Sequence, residues 1–275
     1  MIPPENPDSG KIRLLNKSLT QLGWGLIQKA LADRTASPVT AARCHNLLPE
    51  ADFDSAQKSL EETSEMFALL ESGDSFPLNT FADIHAPLQE AREKRILAAD
   101  QCLKFLKLLR LCRALKKTLE KKDDAPLLQS LSLNLDPLLP LLNEIGKCIS
   151  DEGEINENAT PELKQAIREV ASAKQKLESR IAKLFSSSTV KEALQDSYIT
   201  EREERLVIPI RAEYRSRVEG IVHDSSGSGQ TLFIEPTQII PLNNQLKINK
   251  LKVDQEKFKI LQTLTLQIVE QSEQL

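Results

Sequence analysis

Two runs of helical heptad spacing separated by a short β-branched segment constrain this chain more than any other feature. Thr160-Pro161 has the form of an N-cap followed by the first helical residue. After it come Leu163, Ile167, Val170, Leu177, Ile181 and Leu184, in steps of 4, 3, 7, 4 and 3. This is a heptad seam in which Lys174 takes the skipped position, and such a seam requires a partner helix. The pattern then changes. Leu206–Tyr214 is β-branched and partly alternating, and 220–223 and 231–234 are two further short strands around a Gly/Ser turn at 224–230. Pro209 places the first of these about three strands at an edge. From Ile239 onward helix returns, with Ile248, Leu251, Phe258, Leu261 and Ile268 forming a second seam in steps of 3, 7, 3 and 7. No capping glycine follows before Leu275. The expectation is a coiled-coil arm that runs out along one helix, turns through a small β-element and comes back along the other.

The first 158 residues predict shorter helices. A loose polar leader over 1–10 precedes a helix from Leu14 to Ala32, and Ser37-Pro38 opens a short helix to Leu48. Further helices are expected at about 54–71, 87–95 and 97–122, with a loop over 73–86. The Leu-rich stretch 126–145 carries Pro137 and Pro140 and predicts short, kinked helices. An acidic linker follows at 149–158. The fold class expected is mainly α: a helical core over 1–158, then lever helices over 159–275 with a β clamp tip at about 205–236.

Composition narrows the function. Among 275 residues 40% are hydrophobic, enough for one or two cores, yet aromatics make up 4% and there are nine glycines, fewer than a compact enzyme of this size usually carries. The net charge of −4 means that nucleic-acid binding would have to come from a local patch. Cys44, Cys102, Cys112 and Cys148 fit no zinc spacing and read as free thiols in a reducing cytosol. The N-terminus lacks a signal-peptide core and no run of 18 apolar residues exists, so a cytoplasmic protein without a membrane span is expected.

Several tempting motifs fail on chemistry. Gly227 to Gly229 is followed by Gln230-Thr231 and a strand, whereas a phosphate loop needs Gly-Lys-Ser/Thr leading into a helix; a hairpin turn is the better reading. His223-Asp224 with Ser225, Ser226 and Ser228 are sequence neighbours, whereas a hydrolytic triad converges from separate positions. His45 and His85 have no ligand-spaced partners, and 151–154 lacks the oxygen alternation of a calcium loop. No catalytic residue, metal ligand or cofactor site is therefore expected. Two basic stretches remain. Between Arg92 and Lys122 eleven Lys/Arg face three Asp/Glu, on a helix whose leucines bury the other side. In the arm, Arg211, Arg215 and Arg217 precede the β-tip turn, and Lys247, Lys250 and Lys252 begin the returning helix. Those six are the candidate nucleic-acid-binding residues, through sequence-independent phosphate contacts.

The run Arg205–Arg215 (RLVIPIRAEYR) followed by Gly220–Pro236 (GIVHDSSGSGQTLFIEP) and Leu242–Leu246 (LNNQL) closely resembles the MutS2 subfamily of the MutS proteins. So do Glu61–Glu65, Ala82–Ile84, Ile149–Ile155 and Thr160–Leu163, and the resemblance covers nearly the whole chain. It implies a helical core with a lever and clamp, followed in the family by an ATPase domain that dimerises and often an Smr nuclease domain. Neither a Walker A motif nor an Smr-like segment occurs here, so ATP and magnesium are expected only in a missing domain and the chain itself is expected to be non-catalytic. The implied partner is branched or structured double-stranded DNA, held in recombination control or mismatch-repair-related processes. A ribosome-associated module acting on collided ribosomes is the second reading and a coiled-coil adaptor the third.

Overall fold

The computed structural model describes residues 17–50, 52–73, 76–77 and 80–275. The polar leader over 1–10 and the helix start at Leu14 lie outside them. The chain is mainly α with one four-stranded antiparallel sheet. It divides into two compact units, Met1–Glu154 with Leu264–Leu275, and Ile155–Thr263.

In the first unit α1 (Trp24–Ala32) starts after Gly23, whose left-handed φ of 68° interrupts the helix expected from Leu14. α2 (Pro38–His45) begins at Ser37-Pro38 as the sequence predicts, but Ser37 Oγ donates to Phe81 O at 3.1 Å and does not cap the helix. Asp52 caps α3 (Phe53–Glu71) by accepting from Ser55 N at 2.8 Å. α4 (His85–Arg92), α5 (Ala99–Leu119), α6 (Pro126–Ser132) and α7 (Leu139–Cys148) follow. The Glu65 carboxylate accepts from Leu127 N and Leu128 N, neutralising the exposed amides that open α6. Leu97, Phe105, Leu106 and Leu109 are sealed from solvent, as are Ile145 and Ile149. Each such side chain contributes about 1.5–3 kcal/mol on burial.

The acidic stretch at 149–158 joins the two units at Glu154–Ile155 with Asp151, Glu152 and Glu154 exposed, and part of it is folded as a turn. Ile149 is 1% exposed, Ser150 N donates to Glu154 O, and Gly153 takes φ 83° close against Asp100 of α5. Asp151 pairs with Arg110 on the same helix. Besides connecting the two units, the turn supplies a counter-ion to a basic helix.

In the second unit α8 (Pro161–Phe185) begins at Thr160, whose Oγ1 accepts from Leu163 N at 3.1 Å. Leu163, Leu177, Ile181 and Leu184 are buried and Ile167 and Val170 half-buried. The missing seam position is filled by Ala173, while Lys174 faces solvent beside Glu178. After α9 (Ser188–Ala193) come β1 (Thr200–Arg202), β2 (Arg205–Arg211), a 3-10 turn (Ala212–Arg217), β3 (Gly220–Ser225) and β4 (Thr231–Pro236), in the sheet order β1-β2-β4-β3. There are thus four strands, one more than expected. Glu203 and Glu204, both at positive φ, make the two-residue turn that joins the extra strand to β2. β2 is consequently not an edge: β4 pairs along one side, and β1 covers the other only as far as Val207. Pro209 lies beyond β1, and its carbonyl accepts from Gln195 N at 3.0 Å.

α10 (Ile240–Glu270) lies in the second unit up to Thr263 and in the first from Leu264. In the second unit it runs antiparallel to α8, with Arg180 against Gln238 and Glu169 against Asn249 and Lys252. The expected seam is corrected here. Ile248, Leu251 and Phe258 are about half exposed, Leu261 is half-buried, and only Ile268 is fully buried. The buried face carries Asn243, Leu246, Asn249, Ile260 and Leu264 instead. The helix has apolar residues on two opposite sides, and periodicity alone cannot say which side packs. The core of this unit joins Leu177, Ile181 and Leu184 of α8 to Ile208, Ile210 and Ile234 of the sheet and to Ile239 and Leu246.

Candidate nucleic-acid interface

The six basic residues singled out from sequence do not form one cluster. Arg211 ends β2 beside the Gly/Ser turn, where its backbone pairs with Thr231; its side chain is exposed and makes no ion pair among the described residues. Arg215 turns inward and donates to Val218 O and Gly220 O, both at 2.8 Å, so it holds the 3-10 turn closed. Arg217 pairs with Glu192 of α9 at 2.9 Å and stacks over the Tyr214 ring at 4.7 Å.

Lys247 and Lys250 stand together at the other end of the sheet. Lys247 Nζ lies 3.2 Å from Glu204 and Lys250 Nζ 3.4 Å from Glu201, both on the β1–β2 hairpin. Lys252 reaches across to Glu169 of α8 at 3.2 Å. Arg211 and Lys247 are thus set at opposite ends of β2, whose seven residues span roughly 20 Å. The three lysine pairs are solvent-exposed, screened by salt and readily exchanged for another anion.

The sheet is fastened to α10 by a buried polar network that sequence reasoning missed. Glu235 has no exposed side-chain surface. Its Oε1 accepts from Arg205 Nη1 at 2.6 Å and from Asn243 Nδ2 at 2.8 Å, and its Oε2 faces His223 Nε2 at 2.8 Å. Asn243 also exchanges two hydrogen bonds with the Leu206 backbone, accepting from N and donating to O. Arg205 Nη2 donates to Asn244 Oδ1 at 2.7 Å. Each buried lone pair and donor thereby finds a partner, as a charge out of water requires. The other ring nitrogen of His223 faces Glu203 at 3.3 Å. Asp224 turns away to Arg202 at 2.8 Å, past a register shift between Val222 and Asp224. The signal available in sequence was Glu235 itself, a carboxylate at the end of the inward-facing Phe233-Ile234 strand.

The Gly/Ser turn is a hairpin connection. Ser226 N donates to Thr231 O, Ser226 Oγ accepts from Thr231 N at 3.0 Å, and Gly229 adopts φ 69°. Among the described residues no group of three or more His, Cys, Asp or Glu is arranged to hold a metal ion, and no helix is long and apolar enough to cross a membrane.

No family profile matches the chain. Individual relatives do. It is 35% identical over 263 residues to endonuclease MutS2 of Clostridioides difficile, 94% of this chain and 33% of that protein. It is 35% identical over 249 residues to endonuclease MutS2 of Symbiobacterium thermophilum, 90% of this chain and 31% of that protein. It is 30% identical over 262 residues to endonuclease MutS2 of Alkaliphilus oremlandii, 94% and 33%. The chain belongs to the MutS2 subfamily of the MutS family. It spans about a third of the length of these curated relatives. The MutS2 signature now has a physical reading. Arg205, His223, Glu235 and Asn243 all fall within the stretches that carry the resemblance, and together they lock the sheet onto the returning helix.

Proposed function

We propose that the second unit of this MutS2-subfamily chain holds structured double-stranded DNA by its phosphate backbone, the sheet acting as a clamp and α8 with α10 as its lever. The observation that carries this reading is the placement of Lys247 and Lys250. They project from one helix, one turn apart, beside a hairpin tied to that helix by hydrogen bonds of Asn243 and Asn244, and only exposed carboxylates occupy them. Arg211, at the far end of β2, and Lys252, turned toward α8, supply separate phosphate contacts in this reading. DNA phosphates supply a denser array of anions than Glu201, Glu204 and Glu169 and displace them at low salt. In this reading ATP and magnesium, dimerisation and nuclease chemistry belong to parts of the MutS2 architecture that these 275 residues do not match, and the chain contributes grip to recombination control.

The test is titration of labelled branched and linear duplexes across salt concentrations. Replacing Lys247, Lys250 and Lys252 with Gln weakens binding and flattens log affinity against log salt by up to about 3. Base preference stays unchanged, because phosphates carry no sequence information. Glu201→Gln with Glu204→Gln acts oppositely and tightens binding. An unchanged slope in the lysine variant removes these residues from the interface.

A further inference from the structure

Among the described residues the strongest uncommitted charge lies in the first unit, on α5. Beyond the first turn of that helix every exposed residue is basic: Lys107, Arg110, Arg113 and Lys117, with Lys121 just past its end. Spacings of 3, 3, 4 and 4 keep these five on one face. At 1.5 Å per residue Lys107 to Lys117 spans about 15 Å, and Lys121 extends the row to about 21 Å. Cys102, Phe105, Leu106 and Leu109 beside and beneath the row are buried, so it stands on a rigid support.

The fold does not account for this row. Exposed helix charges are ordinarily explained by opposite charges three or four residues away, yet here Arg113 and Lys117, and Lys117 and Lys121, are like charges at four-residue spacing. Such pairs destabilise a helix. Lys117 and Lys121 gain something from the carbonyl end of the dipole, but Lys107 and Arg113 lie too far from it. Among the described residues only Arg110 of this row has an ion-pair partner, Asp151, whose carboxyl is held below the usual carboxylate range by that guanidinium and by Lys107 nearby. Lys107, Arg113, Lys117 and Lys121 make no ion pair among the described residues. The other acids close by are Glu120, at the helix end, and Asp123 and Asp124 beyond it. The contrast with the second unit is direct, since there Lys247, Lys250, Lys252 and Arg217 each have a carboxylate within 3.4 Å.

We propose that the solvent face of α5 is a second phosphate-binding surface, taking the backbone of duplex DNA independently of the arm lysines. The occupant follows from what the face lacks. A protein partner buries an apolar or aromatic centre ringed by polar groups, and no exposed apolar residue lies on this face. An unbroken row of cations, none offering base recognition, suits a polymer that carries one charge per about 1.7 Å of axis. The proposal rests on the reading of the chain as DNA-binding, and it adds a site that this reading does not require.

The experiment uses the whole chain, a fluorescein-labelled random-sequence duplex and labelled polyglutamate, with anisotropy measured from 50 to 200 mM KCl. Lys107→Gln, Arg113→Gln and Lys117→Gln combined should lower the salt slope by about 2 to 3 and weaken duplex binding at 0.1 M salt at least tenfold. Circular dichroism should show undiminished helix, because the substituted side chains are exposed and their mutual repulsion is relieved. Asp151→Asn should release Arg110, raising affinity by up to about eightfold and the slope by about 0.9. An unaltered slope in the triple variant overturns the proposal, as does tighter binding of polyglutamate than of duplex, which assigns the face to an acidic protein. If substitutions at Lys247, Lys250 and Lys252 abolish binding while those on α5 change nothing, the α5 site fails and the arm reading stands. If the unaltered chain binds no duplex even at 50 mM salt, both fail.

Discussion

Arg205 Nη1 lies 2.6 Å from Oε1 of Glu235, a carboxylate with no exposed surface. The pair joins the first residue of β2 to the penultimate residue of β4, and Asn243 of α10 donates to the same carboxylate oxygen at 2.8 Å. Desolvating a carboxylate costs several kcal/mol, which only a complete set of partners offsets. Glu235→Ala removes the shared partner of a guanidinium, an imidazole and an amide at once. It should lower the unfolding free energy by about 3–5 kcal/mol in urea denaturation followed by circular dichroism. Glu235→Gln keeps the shape and loses the charge, and should cost about 1.5–3 kcal/mol. Losses under about 1 kcal/mol for both would mean that the network does not fasten the sheet.

Gly220 opens β3 opposite Pro236, and a Cβ built there would collide with the carbonyl of Glu235 and the side chain of Ile234. Backbone cannot move aside as a flexible side chain can. Gly220→Ala should therefore cost about 1–3 kcal/mol, against a negligible change for Gly227→Ala in the open β3–β4 turn. Equal melting temperatures for the two variants would contradict this packing.

The two apolar sides of α10 predict opposite outcomes. Leu264 is 1% exposed and Phe258 is 55% exposed. Leu264→Ala should destabilise by about 2–5 kcal/mol, whereas Phe258→Ala should stay within about 0.5 kcal/mol. Denaturation midpoints for the pair decide which face packs, and a costly Phe258→Ala would restore the heptad register read from sequence.

The cysteines differ in reactivity for a reason of burial. Cys102 is sealed inside the first unit, and desolvation, with the nearby negative charge of Asp100, pushes its thiol up to about 12. At pH 8 roughly one molecule in 10⁴ carries the reactive thiolate. Iodoacetamide labelling followed by peptide mass mapping should leave Cys102 unmodified in the native chain and modify it fully in 6 M guanidinium. Fast native labelling of Cys102 would show that α5 is not packed as described.

Much of this architecture was legible from local chemistry. Thr160-Pro161 specifies a helix start because a side-chain oxygen and a fixed φ act on adjacent residues, and the structure has that cap. Gly227 to Gly229 reads as a hairpin turn rather than a phosphate loop because the residues after it cannot supply a lysine and a hydroxyl. The MutS2 likeness rests on contiguous runs that survive without any knowledge of contacts.

Tertiary structure decided what depends on partners distant in sequence. Periodicity found the apolar residues of α10 but ranked the wrong side, because both sides satisfy it and only α8 and the sheet select one. β1 escaped notice because three residues of Thr-Glu-Arg become a strand only through pairing with β2. Asp151 read as a linker charge until the turn around Gly153 brought it to Arg110. The same physics governs the basic residues. Their identity and spacing are written in the chain, but whether a cation is free or already paired is set by carboxylates 25 to 83 residues away. That arrangement divides Arg217 and Lys252, each with its own counter-ion, from Lys107 and Arg113, which have none among the described residues.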